Sequence, residues 1–356
     1  MGVSARLFGL LEAFTVVVLL CASAALVFLM LNPSQPLAVD FAPVWAAATN
    51  PLHAYDTDAV TRVQSEVFGL QLNPRPFAYP PTALLLLLPL GSVPLFTAYT
   101  VFVFASFAGF VWTGMRAGSP WWVSIFPPVI LLAHVGQPTL LVGGLMLAGF
   151  LVPDWRLRGL LFGFAVAIKP QLCLFLPVAL LLHRDWRTVL LAGGAIGVLA
   201  VAATAAFGAA IWQDWITAMT SLRAQVLSSP SLSANMLHTS PLIFGIPAIL
   251  LVWLTRNANP SIRFGGTVGA ALLVSPYAMN YELALLAPAV ASSTRLNPWM
   301  LIAALVLGLA FFMFEMAVLI AILATLVWVA RAAKNARLAP DGECTSQINR
   351  RPSEAV

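Results

Sequence analysis

Residues 14–31 read Phe-Thr-Val-Val-Val-Leu-Leu-Cys-Ala-Ser-Ala-Ala-Leu-Val-Phe-Leu-Met-Leu, a run without a single charge. In lipid, every backbone N–H and C=O of such a run must find its partner within the run, and only a helix provides that. Strands of a membrane barrel would alternate apolar and polar positions over about ten residues. This stretch does not alternate, and neither do the similar runs at 189–207 and 300–312. A cleaved signal peptide would have a shorter apolar core ending at small residues. Here the run continues past the alanines near Cys21 to Leu31, so it reads as an uncleaved first helix after a single early Arg6.

The rest of the chain agrees. Of 356 residues, 60% are hydrophobic and only 9% charged, and the mean hydropathy is +0.91. Soluble domains carry roughly a quarter charged residues, so a soluble enzyme and a disordered chain are excluded. A nucleic-acid partner is excluded too: the net charge of +5 is spread over the whole length and forms no basic face. The expected class is an all-α polytopic membrane protein. The three cysteines (Cys21, Cys173, Cys344) show no metal or redox spacing.

About twelve spans are expected, at 7–31, 94–115, 120–134, 139–152, 159–168, 171–182, 188–208, 241–254, 264–276, 281–292, 297–313 and 315–330. Several are shorter than the roughly 20 residues that cross a bilayer unaided. Short helices are tolerated where they line a protein-enclosed cavity. With the N-terminus in the cytoplasm, alternation places 14 of the 18 basic residues inside, as the positive-inside rule demands. Arg62, Arg75, Lys169 and Arg223 fall outside. Two long loops, about 32–80 and 209–240, face outward, the first expected to be structured. The membrane domain spans 1–331. A polar tail, 332–356, is expected to be disordered in the cytoplasm, so both termini face inward. The short cytoplasmic loops contain no Walker-type phosphate loop, which puts any chemistry on the outer face.

Candidate residues follow from that placement. Asp40 comes soon after the first span, flanked by apolar residues. A carboxylate there suits a general base that takes a proton from a hydroxyl; it also reads as a helix N-cap before the Ala-rich stretch to Ala48, and the two roles are compatible. Asp56 and Asp58 read as turn and cap residues, and His53 precedes them on the surface. Tyr79-Pro80-Pro81 opens a Leu-rich run (82–90) too short to span, expected to lie along or dip into the membrane. Three abrupt outer turns are more polar than a plain bundle requires: His134-Val135-Gly136-Gln137-Pro138, Ile168-Lys169-Pro170-Gln171 and Ser275-Pro276-Tyr277-Ala278-Met279-Asn280-Tyr281-Glu282. Ionisable groups at membrane depth default to functional hypotheses, which singles out Lys169, Glu282 and Glu315. Lys169 either snorkels to the interface or faces an anion such as phosphate.

In this order, Asp40, Tyr79-Pro80-Pro81, Gly136-Gln137, Gly163-Phe164-Ala165-Val166-Ala167-Ile168-Lys169-Pro170 and Ser275-Pro276-Tyr277 resemble the motifs of glycosyltransferase family 87 (DUF2029), membrane proteins of the GT-C class. The similarity extends over about residues 38–282 and points toward polyprenyl-phosphate-mannose-dependent mannosyltransferases. The resemblance implies a GT-C-like bundle in the plasma membrane. It implies inverting transfer of one hexose, mannose by expectation, from a polyprenyl-phosphate-sugar donor to a lipid or glycan acceptor on the outer face. Asp40 would be the base and Lys169 the donor-phosphate ligand. Tyr79, Gln137, Asn280, Tyr281 and His53 would bind substrate. No cofactor is expected; a divalent metal is compatible with this chemistry but not required by it. The rival readings are a transporter or flippase, which would show repeated halves that this chain lacks, and a non-catalytic scaffold.

Overall fold

The structure is a computed structural model, and it describes residues 3–30, 37–70, 75–228, 241–275, 279–294, 301–302 and 304–305. The described residues are helical, with no strand among them. Helix α1 (Val3–Met30) is followed by two short helices, α2 (Ala42–Thr49) and α3 (Thr57–Phe68), then α4 (Pro81–Leu87) and the long α5 (Leu95–Arg116). Next come α6 (Pro127–Val135), α7 (Thr139–Leu151), α8 (Trp155–Ile168), α9 (Leu176–Leu181) and α10 (Trp186–Phe207). Beyond them lie α11 (Ala210–Ser228), α12 (Pro241–Thr255), α13 (Pro260–Val274) and α14 (Ala287–Ser293).

Among the described residues, three helices are long and apolar enough to cross a membrane: Gly9–Phe28 within α1, α5 and α10. Their outward faces carry large exposed apolar side chains, Phe28, Phe104 and Val201 among them. In water that surface would be a liability; against lipid tails it is solvated. The expected spans at 120–134, 171–182 and 281–292 are instead each broken into a 3₁₀ turn and a short helix: Trp121–Ile125 before α6, Pro170–Cys173 before α9, and Asn280–Leu286 before α14. Proline is the cause. Pro127, Pro177 and Pro288 lack the N–H that a continuous helix needs and fit only its first turn. The region 209–240, expected as a loop, contains the 19-residue α11. The expected spans at 297–313 and 315–330, Glu315 and the tail lie outside the described residues, apart from positions 301–302 and 304–305.

The centre of the bundle is α7, which packs against α5, α8 and α13. Lipid is as apolar as a leucine, so packing rather than hydrophobic transfer must hold such helices together. Small residues permit it: a Cβ added at Gly149 would lie 2.4 Å from the Phe162 ring of α8. Helix α13 is buried over nearly its whole length. Helix α4 packs against α10, α2 and α8, with Ala83 and Leu84 fully buried, and its Thr82 hydroxyl donates to the Ala167 carbonyl at 2.6 Å. The Leu-rich run is therefore seated in protein.

At the opposite end from the polar turns, helices begin on acidic or amide caps. Asp154 caps α8, Asp185 caps α10 and Asn259 caps α13. Arg158 and Asp185 join the α8 and α10 starts by an ion pair of 2.5 Å.

Candidate active site

The bundle brings five turns, widely separated in sequence, to one place. The first is Ala38–Phe41. The Asp40 and Phe41 amides both donate to the Val135 carbonyl, at 3.1 and 3.0 Å, and the Ala38 amide donates to the His134 carbonyl. The Asp40 turn is thus stapled onto the C-terminal end of α6. That end closes on Gly136, which is left-handed (φ +77°). A Cβ there would sit 2.6 Å from Phe41 Cβ and 3.0 Å from the Tyr99 ring. Glycine serves both needs, the positive φ and the close approach.

Asp40 does not cap α2. The N-cap position is Phe41, and no side chain caps it. The cap is unnecessary because the Ala38 carbonyl already accepts from the Phe41 and Ala42 amides and Pro43 has no N–H to satisfy. The Asp40 carboxylate is turned elsewhere. Its Oδ1 accepts from Arg75 Nη1 at 2.7 Å, and its Oδ2 accepts from Gln137 Nε2 at 2.9 Å. Asp56, by contrast, is the cap its sequence suggests, accepting from the Asp58 and Ala59 amides at the start of α3.

Gln137, nearly buried, is the centre of the cluster. Its Oε1 accepts from the Tyr79 hydroxyl at 2.6 Å. Its Nε2 donates to Asp40 and also, at 3.1 Å, to the Tyr281 hydroxyl. One amide therefore ties together Asp40, Tyr79 and Tyr281, three of the residues singled out from the sequence. Tyr79 is itself held by Tyr55, whose hydroxyl donates to the Tyr79 carbonyl at 2.7 Å. Burial, with the charge of Asp214 adding to it, pushes the Tyr55 phenol well above its ordinary value, so it remains a donor.

Lys169, at the C-cap of α8, lies behind this cluster. Its Nζ is 2.6 Å from Glu282 Oε1 and 2.8 Å from Thr139 Oγ1, and it sits 5.9 Å from the Tyr79 ring centre. Lys169 and Glu282 are both buried, at 5% and 1% exposure. The other Glu282 oxygen accepts from the Met279 amide at 3.3 Å. The two ionisable residues singled out separately in the sequence are thus one buried pair. Asn280 opens the same 3₁₀ turn, but its side chain, like Pro276 and Tyr277, lies outside the described residues.

His53 stands apart. It is exposed, at the end of the 3₁₀ turn Pro51–His53, and lines a polar groove of about 430 Å³ with Asp56, Gln213 and Asp214. A second cleft, about 320 Å³ and mostly apolar, runs along the cluster: its walls include Ala78, Pro80, Pro170, Trp215, Met219 and Arg223. Ala78 and Pro80 flank Tyr79 in the chain, and Pro170 follows Lys169. The two grooves share α11, which turns Trp215, Ile216, Met219 and Arg223 to the apolar one and Gln213, Asp214 and Thr217 to the polar one. Among the described residues no group of three His, Cys, Asp or Glu side chains is placed to hold a metal.

Two features escaped sequence reasoning. The first is Arg75, whose contact with Asp40 depends on α3: the Arg75 amide donates to Thr61 Oγ1 at 3.2 Å, and its carbonyl accepts from Gln64 Nε2 at 3.1 Å. The signal was present, since Arg75 is one of only four basic residues assigned to the outer face and shares a loop with Asp40. The second is α11, hidden because its polar face lowers its hydropathy below that of a span.

Residues 77–276, more than half of the chain, match the family model of glycosyltransferase family 87. The chain belongs to glycosyltransferase family 87. Membership makes it a membrane glycosyltransferase with a sugar donor and an acceptor. The matched stretch holds Tyr79, Gln137 and Lys169, while Asp40 and Glu282 flank it on either side. No curated protein and no solved structure matches the chain.

Proposed function

We propose that this family 87 enzyme transfers one hexose, mannose in the first instance, from a polyprenyl-phosphate donor to a hydroxyl of a lipid or glycan acceptor. The reaction inverts the anomeric centre. The observation that carries this reading is the Asp40 carboxylate: it sits where five turns converge, oriented at both oxygens, beside an apolar cleft. The setting is a GT-C-like bundle of about twelve spans in the plasma membrane, both termini cytoplasmic and the Asp40 cluster on the outer face.

Asp40 acts as the base. The bonds from Arg75 and Gln137, one to each oxygen, fix the orientation of the carboxylate. The acceptor hydroxyl gives its proton to Asp40, its oxygen attacks the anomeric carbon, and the phosphate leaves from the opposite face. One carboxylate suffices because the donor already carries a good leaving group, unlike the two-carboxylate arrangement of glycoside hydrolysis. The reading invokes no metal. The cleft along Pro80, Pro170 and Trp215 offers apolar walls for the first isoprene units. Lys169 supports the donor side from behind Tyr79. Tyr281, Asn280 and, farther out, the His53 groove would meet sugar and acceptor hydroxyls. A transporter would instead show repeated halves with matched broken helices, and the sequence has no such repeat.

The test is a reconstituted assay of the purified protein with a panel of polyprenyl-phosphate sugars. Transfer from at least one donor, lost by about 10²–10⁴-fold in Asp40→Asn with membrane insertion intact, is the expected result. Full activity in Asp40→Asn removes Asp40 as the base, and no transfer from any polyprenyl-phosphate sugar removes the donor class.

A further inference from the structure

Inverting transfer from a lipid phosphate needs a cation where the leaving charge develops. Lys169 is poorly placed to provide it. Its ammonium has three N–H groups; Glu282 and Thr139 take two of them, and the Tyr79 ring lies on a further side. Its charge is already balanced by a buried carboxylate. Among the outer-face cations, Arg75 is different. It touches the candidate base itself, and its side chain is 39% exposed. Among the described residues its guanidinium bonds only Asp40. A guanidinium presents five N–H donors in a planar fork, so one Nη1 contact to Asp40 leaves the other edge open. The backbone of Arg75 is pinned on both sides by α3 through Thr61 and Gln64. The long side chain can therefore swing while its root stays fixed.

We propose that Arg75 is the ligand of the donor's phosphate and that its bond to Asp40 is the resting state of that site. This rests on the reading of the protein as a lipid-phosphate-dependent transferase. In the free enzyme Arg75 occupies Asp40 Oδ1. When the donor enters, the phosphate draws the guanidinium away, and Oδ1 becomes available to the acceptor hydroxyl. In the transfer step the acceptor O–H proton passes to Asp40 and the acceptor oxygen forms its bond to the anomeric carbon. The bond from that carbon to the phosphate oxygen breaks, and its electron pair leaves on the phosphate, facing Arg75. Gln137 stays on Oδ2 throughout and keeps the carboxylate aimed. Donor binding and exposure of the base are thereby one event, so the base is covered when no sugar is present to transfer.

This makes an unusual prediction about binding. Asp40 competes with the phosphate for Arg75, so removing the Asp40 charge should tighten phosphate binding. The experiment measures the affinity of the purified full chain in detergent for a short-chain isoprenyl monophosphate, with inorganic phosphate as a second arm. Arg75→Ala should weaken isoprenyl-phosphate binding at least tenfold, and Arg75→Lys should restore part of it. Asp40→Asn should tighten it about fivefold, the scale of a partly exposed ion pair. Inorganic phosphate should bind far more weakly, because it lacks the chain that fills the apolar cleft. Unchanged binding in both Arg75 variants, or weaker binding in Asp40→Asn, overturns the assignment while leaving the transferase reading standing. Binding lost in Arg223→Ala but kept in Arg75→Ala transfers the role to Arg223 and overturns it too. Wild-type protein that binds no isoprenyl phosphate refutes the lipid-phosphate reading and this inference together.

Discussion

The Lys169–Glu282 pair allows a quantitative test of the architecture. The two groups are 2.6 Å apart, with side chains 6% and 1% exposed. Glu282→Ala would leave the Lys169 ammonium with Thr139 as its hydrogen-bond partner and no counter-charge. Breaking a buried pair by removing one partner costs about 3–5 kcal/mol. Glu282 also accepts from the Met279 amide, and leaving that donor unpaired adds about 1 kcal/mol. The sum, about 4–6 kcal/mol, is a large fraction of a typical folding stability of roughly 5–15 kcal/mol. The double variant Lys169→Met with Glu282→Leu removes both charges and fills the space. Such replacements are often neutral or stabilising, so the double variant should recover most of what Glu282→Ala loses. The assay is unfolding in detergent followed by tryptophan fluorescence, run as a double-mutant cycle. A cost under about 1 kcal/mol for Glu282→Ala, or a double variant no better than the single, would refute the reasoning: the pair would then have to be solvated.

Other perturbations probe the cluster more locally. Gln137→Leu removes three hydrogen bonds at once; it should lower kcat by roughly ten- to a hundredfold through misorientation of Asp40 while leaving the donor KM nearly unchanged, and a change confined to KM would make Gln137 a substrate ligand instead. Gly136→Ala should cost about 2–4 kcal/mol, combining left-handed strain with the 2.6 Å approach to Phe41; thermal unfolding within error of wild type would contradict the close approach. Asp185 is a pH probe on the opposite end. Burial works to raise its pKa, but hydrogen bonds from Thr188 and Arg158 outweigh that and leave it below its ordinary value. A depressed carboxylate contributes stability that is full above the unfolded pKa of about 3.9 and is lost as pH falls through the lower folded value. Asp185→Asn should therefore be less stable than wild type at pH 7, with the gap closing below pH 4; a gap independent of pH would exclude the charge as its source.

Much of this was legible along the chain. Charge scarcity and unbroken apolar runs decide membrane class and helix without reference to neighbours, because a backbone in lipid has to satisfy itself locally. The motif order pointed to the family and to Asp40, Tyr79, Gln137 and Lys169, which the fold brings together. Helix boundaries were less legible. Apolar runs at 120–134 and 281–292 look continuous to hydropathy, yet Pro127 and Pro288 start new helices within them after a 3₁₀ turn. Helix α11 was missed for the converse reason: it divides its surface between an apolar and a polar groove, a pattern that averages to a loop.

Partnership was decided by tertiary structure alone. Asp40 reads as a cap or as a base until the Ala38 carbonyl is seen to satisfy the α2 start and Arg75 and Gln137 are seen on the carboxylate. Lys169 reads as a free cation until Glu282, 113 residues later, is found against it. Hydropathy and turn chemistry act between residues close in sequence, so the sequence determines which segments are helices in lipid and where their polar ends lie. Which of those ends meet depends on helix packing across the whole bundle. Only that packing determines which charges meet in a buried pair, as Lys169 and Glu282 do, and which, like Arg75 with Asp40, pair at a partly exposed position.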